Sequence, residues 1–427
     1  MLDKRFRRTI PRVAIVMSLL TVIAALPANA QYTGTVLHTF TGTPDGVYPS
    51  PIIRDAKGNL YGTTYGGGLS SCGDGLGCGA IFKIDPQGNE TIAFGFPGGS
   101  LGSNPIADVT EDAEGILYGT TEGSGFFGLS VLYKVSPSGR ETVLVPNAQI
   151  GGAVDTPLLL GANGNIYGMT PYGGDYNCSP DNGGCGTLFS ITPGGEFTVL
   201  HTFTGSDGVR PSGGLIEDSS GNLYGITVYG GDSNCISVGI QYPNDPPDYD
   251  QSGCGTIYKL DTSGNFTVLH TFTGTGDGAG PLGLIIDSEG NLYGVAENGG
   301  LHEGNGQTIG LGTIFKLDTT TGAFSVLYSF TPKTYPDSFF ASHLVRDSEG
   351  NLYGAQQMGG AHNTGCLFRI NTKGKYTDLY DFDLQIGGTN TDGWWAVGVV
   401  LGSHGDFYTS MSTGGFTGWG TVFHITP

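Results

Sequence analysis

Few side chains in this 427-residue chain combine the type and spacing that chemistry needs. Trp394, Trp395 and Trp419 all fall near the C-terminus, and flat aromatics of this kind stack on sugar rings or anchor a protein partner. They can equally fill a junction between structural units, because aligned positions hold Val47-Tyr48, Val209-Arg210 and Phe339-Phe340. A long segment bounded by Cys235 and Cys254 carries Tyr242, Asp245, Asp248, Tyr249 and Asp250. Its residue types suit a ligand lid or a calcium loop, but the carboxylates lack D-x-[DN]-x-[DN]-G spacing, so a solvated, proline-rich insertion is the simpler reading. Tyr242 and Tyr249 join the tryptophans as candidate binding residues. Asp45, Asp207, Asp277, Asp337 and Asp392 recur at one position and could ring a channel mouth and attract a cation. Four of the five precede glycine, where aspartate commonly caps a turn.

Catalytic signatures are missing. The chain holds no G-x-S-x-G elbow, H-E-x-x-H pair, P-loop or sialidase-type S-x-D-x-G-x-T-W box. His38, His201 and His270 share one Val-Leu-His-Thr-Phe context and read as structural, while His302, His343, His362 and His404 lack metal-ligand spacing. No catalytic residue, metal ligand or cofactor is assigned on this basis.

Six of the seven cysteines form local pairs, Cys72 with Cys78, Cys178 with Cys185, and Cys235 with Cys254. The second of each pair precedes a glycine (Gly79, Gly186, Gly255) that opens a strand-like piece, and this recurrence predicts three disulfides. Cys366 lies inside such a piece and reads as a small buried hydrophobe. Oxidised pairs fit the N-terminus, where Lys4, Arg5, Arg7, Arg8 and Arg12 precede an apolar run from Val13 to Leu26 and the small-residue motif Pro27-Ala28-Asn29-Ala30. This predicts an export signal over 1–30, cleaved after Ala30; the run is too short to span a bilayer. Cleavage removes five basic residues and one acid and takes the formal charge from −20 to −24. Such a surface repels phosphate, which argues against nucleic acid and anionic membranes as partners.

The elements that position these residues come from one repeat. Gly58-Asn59-Leu60-Tyr61-Gly62 reappears at 164–168, 221–225, 290–294 and 350–354, with degenerate copies at 115–119 and 405–408. The seven tyrosines are separated by 57, 49, 57, 69, 60 and 55 residues. Each unit carries four short β-rich pieces, a to d. Asp218-Ser219-Ser220-Gly221-Asn222 and its copies supply an a–b hairpin turn, with aspartate accepting backbone N–H bonds and glycine taking a positive φ. The last unit stops after piece c, whereas the mature N-terminus opens with an orphan piece d, Thr35 to Phe40. Docking that piece on the last unit closes a ring and hides two sheet edges.

The prediction is an all-β, seven-bladed propeller over 31–427. Its blades are 49–96, 104–146, 156–203, 211–272, 281–330, 342–382, and 396–427 completed by 35–41. Strands alternate in direction, so the long, cysteine-braced b–c loops share a face with the d–a loops, and any site belongs on that face or at the channel mouth there.

The segments Gly-Asn-Leu-Tyr-Gly (58–62), Gly-Thr-Ile-Tyr-Lys-Leu-Asp (255–261) and Phe-Thr-Val-Leu-His-Thr-Phe-Thr-Gly (266–274) resemble the GloVer tandem repeat of bacterial choice-of-anchor surface proteins. The resemblance covers 35–427 and implies no catalytic residues. Members often end in surface-sorting segments, whereas this chain stops at Pro427, which favours a freely secreted or periplasmic protein; a monomer is expected. The leading expectation is therefore an extracellular binding scaffold for carbohydrate or protein. A propeller hydrolase, lyase or lactonase on extracellular polysaccharide is second, and a purely structural surface protein third. A pocket with two or more carboxylates would favour the enzyme; exposed coplanar tryptophans would favour the binder.

Overall fold

The computed structural model describes residues 32–68, 72, 75–121, 130–146, 154–178, 183–235, 252–300, 311–330, 343–360, 364–382 and 392–427. The export signal, Tyr242, Tyr249, Asp337, His302 and His362 lie outside these residues.

Seven antiparallel sheets form a ring, a seven-bladed β-propeller. Blade 4 shows the unit: strands a (Val209–Glu217), b (Leu223–Tyr229), c (Thr256–Leu260) and d (Phe266–Thr271), paired in that order. The a–b turn forms as its sequence requires. Asp218 Oδ1 accepts the N–H groups of Ser220 and Asn222 at 2.8 and 2.9 Å, and Gly221 adopts φ +84°. The repeat's tyrosine completes the turn, since Tyr224 donates its hydroxyl to Asp218 Oδ2 at 3.0 Å. Tyr118, Tyr293 and Tyr353 do the same to Asp112, Asp287 and Asp347. The glycine after the tyrosine makes room for the strand c aromatic, because a Cβ on Gly225 would stand 2.3 Å from the Tyr258 hydroxyl.

Blades bury both faces, so strand b is buried along its whole length in blades 3, 4 and 6. Ring stacks join neighbours. Phe266, the first residue of strand d in blade 4, lies flat between His201 of blade 3 (3.6 Å, 4°) and Tyr258 of its own blade (5.1 Å, 28°). Phe324 repeats this between His270 and Phe315, and Tyr376 between Tyr328 and Phe368. Glu90 and Glu141 replace this aromatic in blades 1 and 2, paired with Ile84 and Val135 as Phe266 is with Leu260.

The ring closes through the N-terminal strand. Thr33–Thr39 pairs antiparallel with Thr421–Thr426 and becomes strand d of blade 7. Edge pairing removes two exposed rows of backbone groups. Among the described residues, no helix is long and apolar enough to cross a membrane.

Candidate functional site

All seven blades contribute to an axial cavity of about 360 Å³. Its walls come from the part of strand a next to the d–a loops and from the ends of strand b next to the b–c loops, so the cavity belongs to the b–c/d–a face.

Strand a sets what points inward. Two residues before the residue paired with the repeat's tyrosine stand Pro51, Asp108, Pro157, Gly214, Gly283, His343 and Gly398 in blades 1 to 7. Five blades thus present proline or glycine, and blades 2 and 6 present an acid and an imidazole. Asp155, Arg210 and the buried Glu297 also line the cavity. Burial in the channel wall raises the Asp108 carboxyl above the usual carboxylate range, and His343 pulls it back in part. Burial likewise raises Asp155, with Arg210 opposing. Chemically, this set can accept and donate hydrogen bonds to a polyhydroxylated or ionic guest.

The rim is strained at one repeated position. All four non-glycine residues with positive φ among those described, Tyr48 (55°), Asn104 (56°), Arg210 (58°) and Trp395 (61°), stand at the start of strand a. Such backbone costs about 1–3 kcal/mol per residue and persists only where neighbours enforce it. For three of the four the neighbouring blade does so. The N–H groups of Tyr48, Asn104 and Arg210 donate to the carbonyls of Trp419, Cys78 and Cys185 at 3.1, 2.8 and 3.1 Å. Trp419 thus stands where the other loops have their second cysteine. The glycine that follows receives the next blade's proline: a Cβ on Gly79, Gly186 or Gly420 would meet Pro105, Pro211 or Pro49 at 2.5 Å.

The structure separates the residues singled out by sequence. Trp395 is 51% exposed at the rim, whereas Trp419 is half-buried and packs edge-on against Tyr48, with centroids 5.6 Å apart. Trp394 begins the Trp394–Ala396 strand beside them. Five of the seven exposed large apolar side chains among the described residues lie on the b–c/d–a face, Leu101, Tyr176 and Phe416 in its loops and Tyr48 and Trp395 at the start of strand a. The three cysteine pairs are bonded, with Cα–Cα separations of 5.2, 6.0 and 5.7 Å. Cys366 is free and buried.

The four described recurrent aspartates, Asp45, Asp207, Asp277 and Asp392, do not ring the channel. Asp45 accepts from the Thr41 amide and hydroxyl and bonds His38 Nε2 at 3.0 Å. Asp207 and Asp277 repeat the pattern with Thr204 and His201, and with Thr273 and His270. Asp392 is bonded by Tyr380, which takes the histidine's place at 2.9 Å. These acids cap the d–a turn and tie it to the outermost strand, which corrects the channel-mouth alternative.

The channel residues were missed because Asp108, Asp155 and Glu297 belong to no motif. Reading the aligned position down all seven units would have exposed Asp108 and His343.

Several solved structures align with this chain. Oligogalacturonate lyase in complex with manganese aligns with TM-score 0.50 and 14% identity over 92% of this chain and 90% of that one. A chain of a nidogen/laminin complex aligns with TM-score 0.42 and 14% identity over 71% and 91%. A gluconolactonase from Xanthomonas campestris gives TM-score 0.40 and 14% identity over 81% and 92%. At such identity the likeness is one of fold alone. No curated protein matches the sequence. The family model described as the Gloeobacter/Verrucomicrobia repeat matches residues 21–239, 248–391 and 303–427, and on that span the chain belongs to the Gloeobacter/Verrucomicrobia repeat family.

Proposed function

We propose that this propeller is a carbohydrate-binding scaffold of an oxidising compartment outside the cytoplasm, holding a sugar or glycan end in its axial cavity. The observation that carries the reading is the replacement of proline or glycine at the axis by Asp108 and His343, beside Asp155, Glu297 and Arg210. Carboxylates and guanidinium pair with vicinal hydroxyls, and a cavity of about 360 Å³ falls within the range for small-ligand sites. Exposed Tyr48 and Trp395 on the same face offer rings on which further sugars stack. Three disulfides support the compartment, since such bonds persist where thiols are not kept reduced.

A second reading, a hydrolase or lyase acting on polysaccharide, is favoured by the same three carboxylates, two of them held above the usual range. One experiment separates the two. The purified protein is screened against neutral and uronic-acid oligosaccharides by calorimetry, with product analysis by mass spectrometry on every binder. Binding without turnover, lost in Asp108→Asn and Asp155→Asn, supports the scaffold. Turnover lost in the same variants moves the assignment to the enzyme. Absence of binding by any sugar at about 1 mM, where weak sites still register, sinks both.

A further inference from the structure

The blade 7–blade 1 junction differs from the blade 3–4 and blade 4–5 junctions by one residue. In blades 3 and 4 a His–Asp pair, His201–Asp207 or His270–Asp277, faces the phenylalanine that opens strand d of the next blade. At the ring closure the same pair, His38–Asp45, faces Glu90. A third ligating group therefore replaces a hydrocarbon ring at this junction. The imidazole nitrogen and the two carboxylate oxygens all lie within 4.8 Å of one another. Glu90 Oε1 is buried and has no hydrogen-bond partner, so one ligand stands desolvated with its lone pairs unused. The junction between blades 1 and 2 provides an internal contrast. Glu141 also replaces the aromatic there, but the residue at the histidine position is Phe94, so a lone carboxylate results.

We infer that His38, Asp45 and Glu90 form a divalent-metal site that ties the closing strand to blade 1, with Zn²⁺ as the fitting ion. One imidazole and two carboxylates suit Zn²⁺, which takes three protein ligands and a water at about 2.0–2.2 Å. Ca²⁺ fits poorly, since it collects six to eight oxygens and gains little from imidazole. His38 belongs to the strand that closes the ring, Asp45 to the loop that follows, and Glu90 to strand d of blade 1. A bound ion thus links three segments across the closure and stabilises the native ring by mass action.

The test is metal titration of the full purified chain, stripped with a chelator and dialysed. ZnCl₂ alone is expected to bind with one equivalent by calorimetry and to raise the melting temperature by about 3 °C or more, reversibly on chelation. Glu90→Gln and His38→Gln should weaken binding at least ~10-fold, whereas His201→Gln, at a pair that faces Phe266, should leave it unchanged. Glu90→Phe installs the ring used in blades 4 and 5, so it should fold and lose the response, which keeps the test valid if His38→Gln misfolds. The inference is overturned by no Zn²⁺ binding at about 1 mM, by binding retained in Glu90→Phe, by equal losses in His201→Gln and His38→Gln, or by an equal response to CaCl₂.

Discussion

Glu141 should make the propeller less stable as pH rises from acid to neutral, and removing its charge should abolish that loss. It occupies the aromatic position of the inter-blade stack in blade 2, and neither carboxylate oxygen has a hydrogen-bond partner. The Tyr133 hydroxyl, also without one, is buried in the same blade. Burial pushes the Glu141 carboxyl up to about 7 from 4.5. At about 1.36 kcal/mol per unit this shift corresponds to at most roughly 3.4 kcal/mol. Partial exposure of the side chain screens the charge and reduces the expected value to about 1–2 kcal/mol. The sign follows from proton linkage. Between pH 4.5 and about 7 the folded chain keeps a proton that the unfolded chain has released. Stability therefore falls across that window, and the penalty is complete above it. Glu141→Gln carries no such penalty. Its melting temperature should match the parent near pH 4.5 and exceed it by about 2 °C at pH 8, at about 1–2 °C per kcal/mol for a chain of this size. Glu141→Phe should gain about 0.5–1.5 kcal/mol more by restoring the ring stack. Scanning calorimetry across pH 4–8.5 reads the difference directly. A pH-independent difference between variant and parent, or a parent more stable at pH 8, would refute the reasoning.

The other predictions concern the channel, the rim and the closure. Asp108→Asn and Asp155→Asn should each raise the melting temperature by about 1–2 °C at pH 7 by removing a desolvated carboxylate, while sugar affinity falls about 10-fold or more; lower stability in both would contradict the electrostatics drawn for the channel. Trp395→Ala should weaken glycan binding about 5- to 20-fold with little thermal change, because the ring is half exposed. Trp419→Ala should instead lower the melting temperature, since its ring packs against Tyr48; calorimetry and binding isotherms on both variants distinguish the roles. Gly34→Val should open the ring, because a Cβ there would stand 2.4 Å from the Phe423 ring. It should cost about 2 kcal/mol or more, and a dispersed monomer of unchanged stability by light scattering and calorimetry would count against strand closure.

The sequence expectations divide by the range over which the physics acts. The hairpin turns at 55–59, 218–222, 287–291 and 347–351 were legible because aspartate, glycine and asparagine act within five residues, as Asp218, Gly221 and Asn222 do. The cysteine pairs were legible because each closes a local loop at a repeated position. The channel-mouth placement of the recurrent aspartates failed because the partner of Asp207 is His201 on strand d, a side-chain pairing that composition does not announce.

By itself, then, the sequence determined seven blades, the closing strand and the bonded loops, since periodic hydrophobicity, turn chemistry and edge protection are local or additive along the chain. Tertiary structure alone decided which groups meet. Asp108, Asp155, Arg210, Glu297 and His343 come from blades 2 to 6 and converge because the ring brings the early part of every strand a, and for Glu297 the end of strand b, to one axis. Glu90 faces His38 because closure places strand Thr33–Thr39 against blade 7, which packs on blade 1. The physical reason is common to both: a repeat specifies each blade's register, but the guests of a channel or a junction depend on side chains tens to hundreds of residues apart.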